Sequence, residues 1–340
     1  MAVADKFTIT CADARVIWLG NRSALSIVAG AAARRKSSTY VKSFKQGATI
    51  VPRNMYFVTV DGLEGRPDPS TTYHAATNEA VAKDSKRPYQ DVRLQGQVEG
   101  RFIFSTTLAA NILPFALREP LSVLLPIEES NGVYYTLTVS ALRRKGHREF
   151  ARWMERAEHI WAEKRGAKAA AQTLLQRLDY QRGLTAQSPK HRHLVLYNAA
   201  GTSVSATYCD RELLTLPLIV EHKVYWAALS TPAEAHYLTA ILNASVVNEL
   251  IKPFQSTGLL GERDIEKKLL DVPIPVFNHE NTLHTRLSAL GTRAYGLARS
   301  ALENGAQTPR RSLARSRALM RETLKDVLTQ IDDAVRELLA

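Results

Sequence analysis

Cysteine is scarce: Cys11 and Cys209 are the only two in 340 residues. Neither has a CxxC neighbour, so a disulfide framework and a zinc cluster are both excluded and two idle thiols remain. Long apolar runs are missing as well. Nothing approaches the roughly 18 to 20 residues of a membrane span, and the opening MAVADKFTIT lacks the basic-then-apolar order of a secretory leader. The expectation is a cytoplasmic chain with no membrane partner. None of the 17 glycines stands one residue from another, which removes the GxG core of a dinucleotide or S-adenosylmethionine loop. GKS, GKT, HExxH and GxSxG are absent too. No two prolines adjoin, so the (D/N/S)-P-P-(Y/F) motif that positions a target amine for methyl transfer is not there either. Acid is missing from Ala14 to Val60, where eight Lys and Arg stand unopposed.

What is present is a chain of 45% hydrophobic content, enough for two modest domains or one elaborated domain with a real core. Its 45 Lys and Arg against 33 Asp and Glu give a formal charge of +12. That excess points to a polyanionic partner, nucleic acid or an anionic membrane surface. SALSIVAGAAARRK reads as a helix, and ATIVPRNMYFVTVDG as a strand interrupted at Pro-Arg-Asn and closed by an Asp-Gly turn. Residues 62 to 90 are loop-like, and VEGRFIFSTT, SVLLPI and VYYTLTVS have strand character. From Ala141 the composition shifts. REFARWMERAEHIWAEKRG and AKAAAQTLLQRLDYQRG read as helices, in a stretch to His193 with 13 basic and 5 acidic residues. HLVLYN, VSATYC and LTLPLIVEHKVYWAAL return to strand pattern. Thr231 then reads as the N-cap of a helix with Pro232 at its first position, and the tail from His284 is helical.

Two catalytic or metal readings deserve weighing. Pro67-Asp68 followed by Asp84-Ser85-Lys86 has the spacing of a PD-(D/E)xK metal-dependent nuclease, which needs its second acid and lysine on a buried strand so that they converge on one metal and a water. EAVAKDSKRP is polar and flanked by loop signals, so a surface loop is the plainer reading. Lys190, His191, Arg192 and His193 cluster at a strand entrance, as a basic surface rather than a ligand set.

Two stretches resemble the target-recognition region at the C-terminal end of adenine-specific DNA methyltransferases of restriction-modification systems, the fused and type IIG-like kind. They are YVKSFKQGATIVPRNMYFV at 40–58 and VYWAALSTPAEAHYLTAILNASVVNELIKPFQSTGLLGERDIEKKLLDVPIPVFNHENTLHTRLSALG at 224–291. KRPYQDVRLQGQVEGRFIFSTTLAANILPF and HLVLYN fit the same family, so the resemblance covers roughly 40 to 300. The second half is also similar to the specificity subunits of type I systems. Such enzymes carry their cofactor and Pro-Pro motifs upstream of this region. The resemblance therefore implies a recognition module, with S-adenosylmethionine held not by this chain but by a methyltransferase subunit or domain, or else a truncated remnant of a fused enzyme.

On that reading the partner is double-stranded DNA, with phosphate contacts setting affinity and base-edge contacts setting specificity. From the first segment come Tyr40, Lys42, Lys45, Gln46, Thr49, Arg53 and Asn54, which offer cations, hydroxyls and planar forks suited to purine edges. Gly47 would let backbone approach a phosphate. From the second come Gln255, Ser256, Thr257 and Gly258, with Arg263 as a bidentate donor and Lys267 and Lys268 as point charges. The bland alternative is that the glycines only shape a turn and that Arg53 and Arg263 only form salt bridges. The expected architecture is α+β: a mixed sheet in a recognition domain over 40–277 with a helical insert at 145–185, an N-terminal segment at 1–39, and C-terminal helices at 278–340 serving as a spacer.

Overall fold

The computed structural model describes residues 15–26, 36–85, 87–258, 261–305 and 312–340. Cys11 and Lys86 lie outside them. β1 (Arg15–Leu19) and β2 (Arg22–Ser26) form an antiparallel hairpin whose turn uses Gly20 at φ +55°. The start of SALSIV is therefore strand, not helix: cross-strand pairing with RVIWL outweighs a weak local helix preference. The rest of that stretch, 27–35, lies outside the described residues.

The chain then runs through β3 (Lys45–Gln46), the short helix α1 (Arg53–Tyr56), β4 (Val58–Val60), β5 (Thr72–Thr77), α2 (Glu79–Lys83) and β6 (Gln95–Glu99). It continues through β7 (Ile103–Thr107), β8 (Ile112–Leu113), β9 (Ala116–Leu117), β10 (Leu121–Leu124), β11 (Ile127–Ser130) and β12 (Val133–Thr136). Helices α3 (Val139–Arg144), α4 (Arg148–Lys164) and α5 (Leu174–Leu178) follow. The carboxylate of Glu99 receives the amides of Glu149 and Phe150 at 3.2 and 2.9 Å, so strand β6 supplies the anion that the start of α4 favours. The alanine-rich stretch after α4 is not the expected second helix. Trp161 Nε1 and Arg165 Nη1 both donate to the carbonyl of Gln172, at 2.8 and 3.0 Å, and fold the chain back. Thr173 then caps the short α5 afresh.

β13 (His193–Asn198), β14 (Ala206–Asp210), β15 (Leu218–Val220) and β16 (Val224–Leu229) lead into α6 (Pro232–Asn243) and α7 (Ser245–Ile251). Thr231 accepts from the Glu234 amide at 3.2 Å, as the sequence led us to expect, with Pro232 at the first position of α6. A tiny hairpin, β17 (Thr257–Gly258) with β18 (Gly261–Glu262), precedes α8 (Thr282–Glu303), α9 (Leu313–Thr323) and α10 (Lys325–Leu339). No helix among the described residues is long and apolar enough to cross a membrane.

The fold class is α+β, with the strands spread over several small sheets. The four-stranded one has the order β14-β13-β16-β3, and the three-stranded β10-β7-β15 is mixed, since β15 joins β7 in parallel. HLVLYN explains how the larger sheet is buried on both faces. Val195 and Tyr197 enter a core with α6, α8 and α10, while Leu194 and Leu196 enter a second cluster with Trp226 and Val220. A third core joins β4–β7 and β10 to α4, including the fully buried Trp153.

Candidate nucleic-acid interface

The two segments that resemble recognition regions, nearly two hundred residues apart in sequence, meet in space. The amide of Ser38 donates to Leu270 at 2.9 Å and that of Thr39 to Ile274 at 3.1 Å, which lays the entry to the first segment along the exit of the second. Further on, Gln46 of β3 faces Tyr225 of β16, and Tyr225 faces Tyr197 of β13. The Tyr197 and Tyr225 rings stack at 5.2 Å between centroids, and Tyr197 donates its hydroxyl to the carbonyl of Glu266 at 2.8 Å. Two interstrand steps, about 10 Å, thus separate Gln46 from Tyr197, whose hydroxyl reaches the segment carrying Glu266 and Lys267.

Within the first segment most polar groups are committed inward. Tyr40 is buried; its hydroxyl donates to Glu234 Oε1 at 3.0 Å and accepts the Phe277 amide at 2.9 Å. Burial pushes its phenol well above the ordinary tyrosine value. Thr49 is buried. Arg53 lies 3.2 Å from Glu221, a wholly buried carboxylate, and its guanidinium sits over the Phe57 ring. Burial raises the Glu221 pKa, but the neighbouring His222, the Lys223 amide and Arg53 outweigh it and hold the carboxyl below its usual value. Asn54 is 1% exposed and donates to the carbonyls of Tyr89 and Val92 at 2.9 and 3.1 Å, while Ser85 donates to its Oδ1. Tyr40, Thr49, Arg53 and Asn54 are therefore pieces of the frame. Gly47 also has another use than the expected one: a Cβ there would lie 2.3 Å from the Val220 carbonyl, so the glycine admits the β15 backbone and not a phosphate. Lys42, Lys45 and Gln46 are exposed, with Lys45 Nζ 5.7 Å over the Trp226 ring and Gln46 donating to the His222 carbonyl at 2.7 Å.

In the second segment the backbone does the anchoring. The β17–β18 hairpin is held by the Arg263 amide on Ser256 at 3.0 Å, by the Gly201 amide on the Arg263 carbonyl at 2.6 Å, and by the Ile265 and Glu266 amides on Ala199. Thr257 and Gly258 form β17. Gln255 is buried and donates to the Gly201 carbonyl at 3.2 Å, so it braces the loop instead of facing outward. Ser256 is exposed and bonded to Asp264. Arg263 is exposed and, among the described residues, its guanidinium has no ion pair, so the salt-bridge alternative finds no partner there. Lys267 is exposed. Lys268, by contrast, is 9% exposed, because it begins a single helical turn that turns its flank onto the core with Leu269 and Leu270; the free point charge expected of it is not there.

The nuclease pattern does not assemble. Asp68 is exposed and accepts the amides of Ser70 and Thr71, and Asp84 is exposed at the end of α2 rather than on a buried strand. Lys86 lies outside the described residues. Among the described residues no three His, Cys, Asp or Glu are arranged to hold a metal. Cys209 is buried, and burial pushes its thiol up to about 12, which leaves it inert.

Sequence reasoning missed one neighbour of the first segment. The turn 179–185 lies directly on it, with Gly183 so close to Gly47 that a Cβ would fall 2.8 Å from the Gly47 carbonyl. The acid-poor composition of 141–193 was its only signal, and composition does not reveal where a turn docks.

No protein-family model and no curated protein matches the chain. Solved structures that it resembles include the Type IIL restriction-modification enzyme MmeI in complex with DNA, at 13% identity and a TM-score of 0.48 over 87% of this chain and 32% of that one. Another is the type IIG restriction endonuclease BpuSI, at 15% identity and a TM-score of 0.32 over 87% of this chain and 31% of that one. This chain spans about a third of the length of either. Neither likeness assigns an activity, substrate or partner to it.

Proposed function

We propose that the chain is a target-recognition module for double-stranded DNA, serving an adenine-specific methyltransferase of a restriction-modification or phage-defence system whose S-adenosylmethionine site lies in another domain or subunit. The observation that carries the reading is the meeting of 40–58 with 224–291. The two stretches that resemble recognition regions form one seam, tied by the Tyr40 hydroxyl to Glu234 and the Phe277 amide and by the pairing of Lys45 and Gln46 with Trp226 and Tyr225. A seam built from distant segments can hold a base-reading group in register with phosphate contacts on either side, which is the geometric requirement for reading a duplex sequence.

Within the seam the roles divide by exposure. Arg263 is the base-reading candidate, since an exposed guanidinium fork with no ion pair among the described residues suits the guanine edge. Lys42, Lys45 and Lys267 supply charge to phosphates. Ser256 and the backbone of Thr257 and Gly258 shape the loop that presents Arg263.

The test is selection from a randomised duplex library followed by anisotropy titrations from low to physiological salt. Enrichment of one motif, bound with a steep salt slope, is expected. Binding that is absent at low salt would sink the proposal, and binding with no enriched motif would reduce it to a non-specific DNA-binding role.

A further inference from the structure

Beside the seam runs a second basic feature, assembled, apart from Lys45, from parts of the chain that the recognition segments do not include. Two recesses, of about 900 and about 500 Å³, meet at Gly132. Arg66, Arg101, Lys190 and Arg211 line the larger, and Lys45 and Arg182 the smaller. Lys190 crosses the junction so closely that a Cβ on Gly132 would fall 1.9 Å from its Cε. The acids along this furrow are already engaged. Glu128 pairs with Lys145, Glu212 with Arg192, and Glu129 accepts the Gly132 amide. None of the six lining cations named has an ion pair among the described residues. Arg211 instead donates to the carbonyls of Ser188 and Leu218, which fixes the guanidinium in place without neutralising it. His191, beneath this surface, has its pKa lowered first by burial and then by Arg211 and Lys45, a local sign of the uncompensated positive charge.

A second, independent observation comes from the backbone. Gln181 and Arg182 sit consecutively in the left-handed region at φ 52° and 58°, a conformation that L residues adopt at a cost and that clusters at binding sites. Asp179 holds them there. Its carboxylate takes the Leu184 and Thr185 amides at 3.1 and 3.0 Å and the Thr185 hydroxyl at 2.8 Å. Gln187 ties the same turn to β15, donating to Gly183 and Val220 and accepting the Val220 amide. So much hydrogen bonding spent on a surface turn leaves Gln181 and Arg182 exposed beside Lys45.

We propose that this furrow is a phosphodiester track, in which Arg182 and Lys190 hold one strand of duplex DNA while the adjoining seam reads its bases. The inference rests on the DNA reading above and adds to it a backbone path whose holding residues, Arg182 and Lys190, lie outside both recognition segments. Asp179 is a positioning residue: it holds Arg182 at the track and touches no DNA.

The experiment compares Arg182→Gln/Lys190→Gln with Asp179→Ala in the full chain, measuring duplex affinity against salt alongside the melting temperature. Each neutralised phosphate adds about 0.9 to the log-log salt slope, so the double variant should lower the slope by about two, weaken all duplex sequences alike and leave melting unchanged. Asp179→Ala removes a negative charge, and bulk electrostatics alone would then tighten binding. The track requires weaker binding, because the turn no longer holds Arg182. A wild-type chain that binds duplex DNA with a slope untouched by the double variant overturns the track and leaves the seam reading standing. Tighter binding by a folded Asp179→Ala protein overturns it as well, as does a response confined to an A-form RNA duplex of the same length. Absence of duplex binding by the wild type overturns both readings.

Discussion

Between Tyr40 and Asn54 the polar side chains mostly turn inward; between Ser256 and Lys267 the exposed ones are left to solvent while the backbone does the holding. Tyr40 is spent on Glu234 and Phe277, Arg53 on Glu221, and Asn54 on Tyr89 and Val92. Arg263 is anchored through its own amide and carbonyl, which leaves its guanidinium available. The contrast follows from how each segment is embedded. The first threads between two cores, where a polar group without a partner is costly. The second carries a hairpin hydrogen-bonded onto the β13–β14 loop, where exposed side chains reach solvent and only the backbone must be fixed. The first segment therefore governs stability and the second governs contact.

The sharpest way to break that division is Asn54→Ala. Two carbonyls lose their donor, the buried one of Val92 and the partly buried one of Tyr89, at roughly 1 to 3 kcal/mol each when left unpaired, so urea unfolding should show a loss of about 2 to 6 kcal/mol. The ratio of specific to non-specific affinity of the folded fraction should not move; a changed ratio would give Asn54 a role at the DNA.

An acid titration isolates a group outside the two stretches just compared, Tyr40–Asn54 and Ser256–Lys267. His236, on α6, has its pKa lowered to about 4 by burial, with the charge of His193 adding to it. The unfolded imidazole titrates near 6.5, so between about pH 6.5 and 4 the unfolded state binds the extra proton and stability falls as pH falls. The loss should reach about 2 to 3 kcal/mol near pH 4. His236→Gln should flatten that part of the curve, and a wild-type curve already flat there would mean that the imidazole is solvated.

Arg263→Ala should do the reverse of Asn54→Ala. Unfolding should change by no more than about 0.5 kcal/mol, as for an exposed side chain, while affinity for the selected motif falls by about 1 to 3 kcal/mol and non-specific binding holds. Reduced stability with an unchanged ratio would return Arg263 to the scaffold. The smallest effect belongs to Lys267→Ala, which should weaken every duplex equally and lower the salt slope by about one. Lys268→Ala, its buried neighbour, should show in the melting temperature before it shows in the slope. Equal slopes for the two variants would contradict their difference in exposure.

Much of the fold was legible in order and type. HLVLYN is a strand, Thr231 and Pro232 start α6 as capping chemistry requires, and the stretch beginning REFARWMERAEH is one helix. Less of the interface was legible. Lys267 and Lys268 are adjacent and chemically identical, and only the helical turn from Lys268 to Asp271 decides which of them faces water. Gly47 looked like a loop glycine because its reason, the Val220 carbonyl, lies far along the chain. The alanine-rich stretch after Lys164 has high helix propensity, yet Trp161 and Arg165 capture the Gln172 carbonyl and reverse it.

What the sequence by itself determined is therefore what local physics controls: the α+β class through hydrophobic period, helix starts through capping residues, and an excess of positive charge through composition. What only the tertiary structure decided is where that charge stands free. Tyr40 finds Glu234 at a separation of 194 residues, Arg53 finds Glu221 at 168, and Gln255 finds Gly201 at 54. Pairings at such range are set when the cores close around them. A polar residue's role depends on the partner that closure brings, and no local pattern records it.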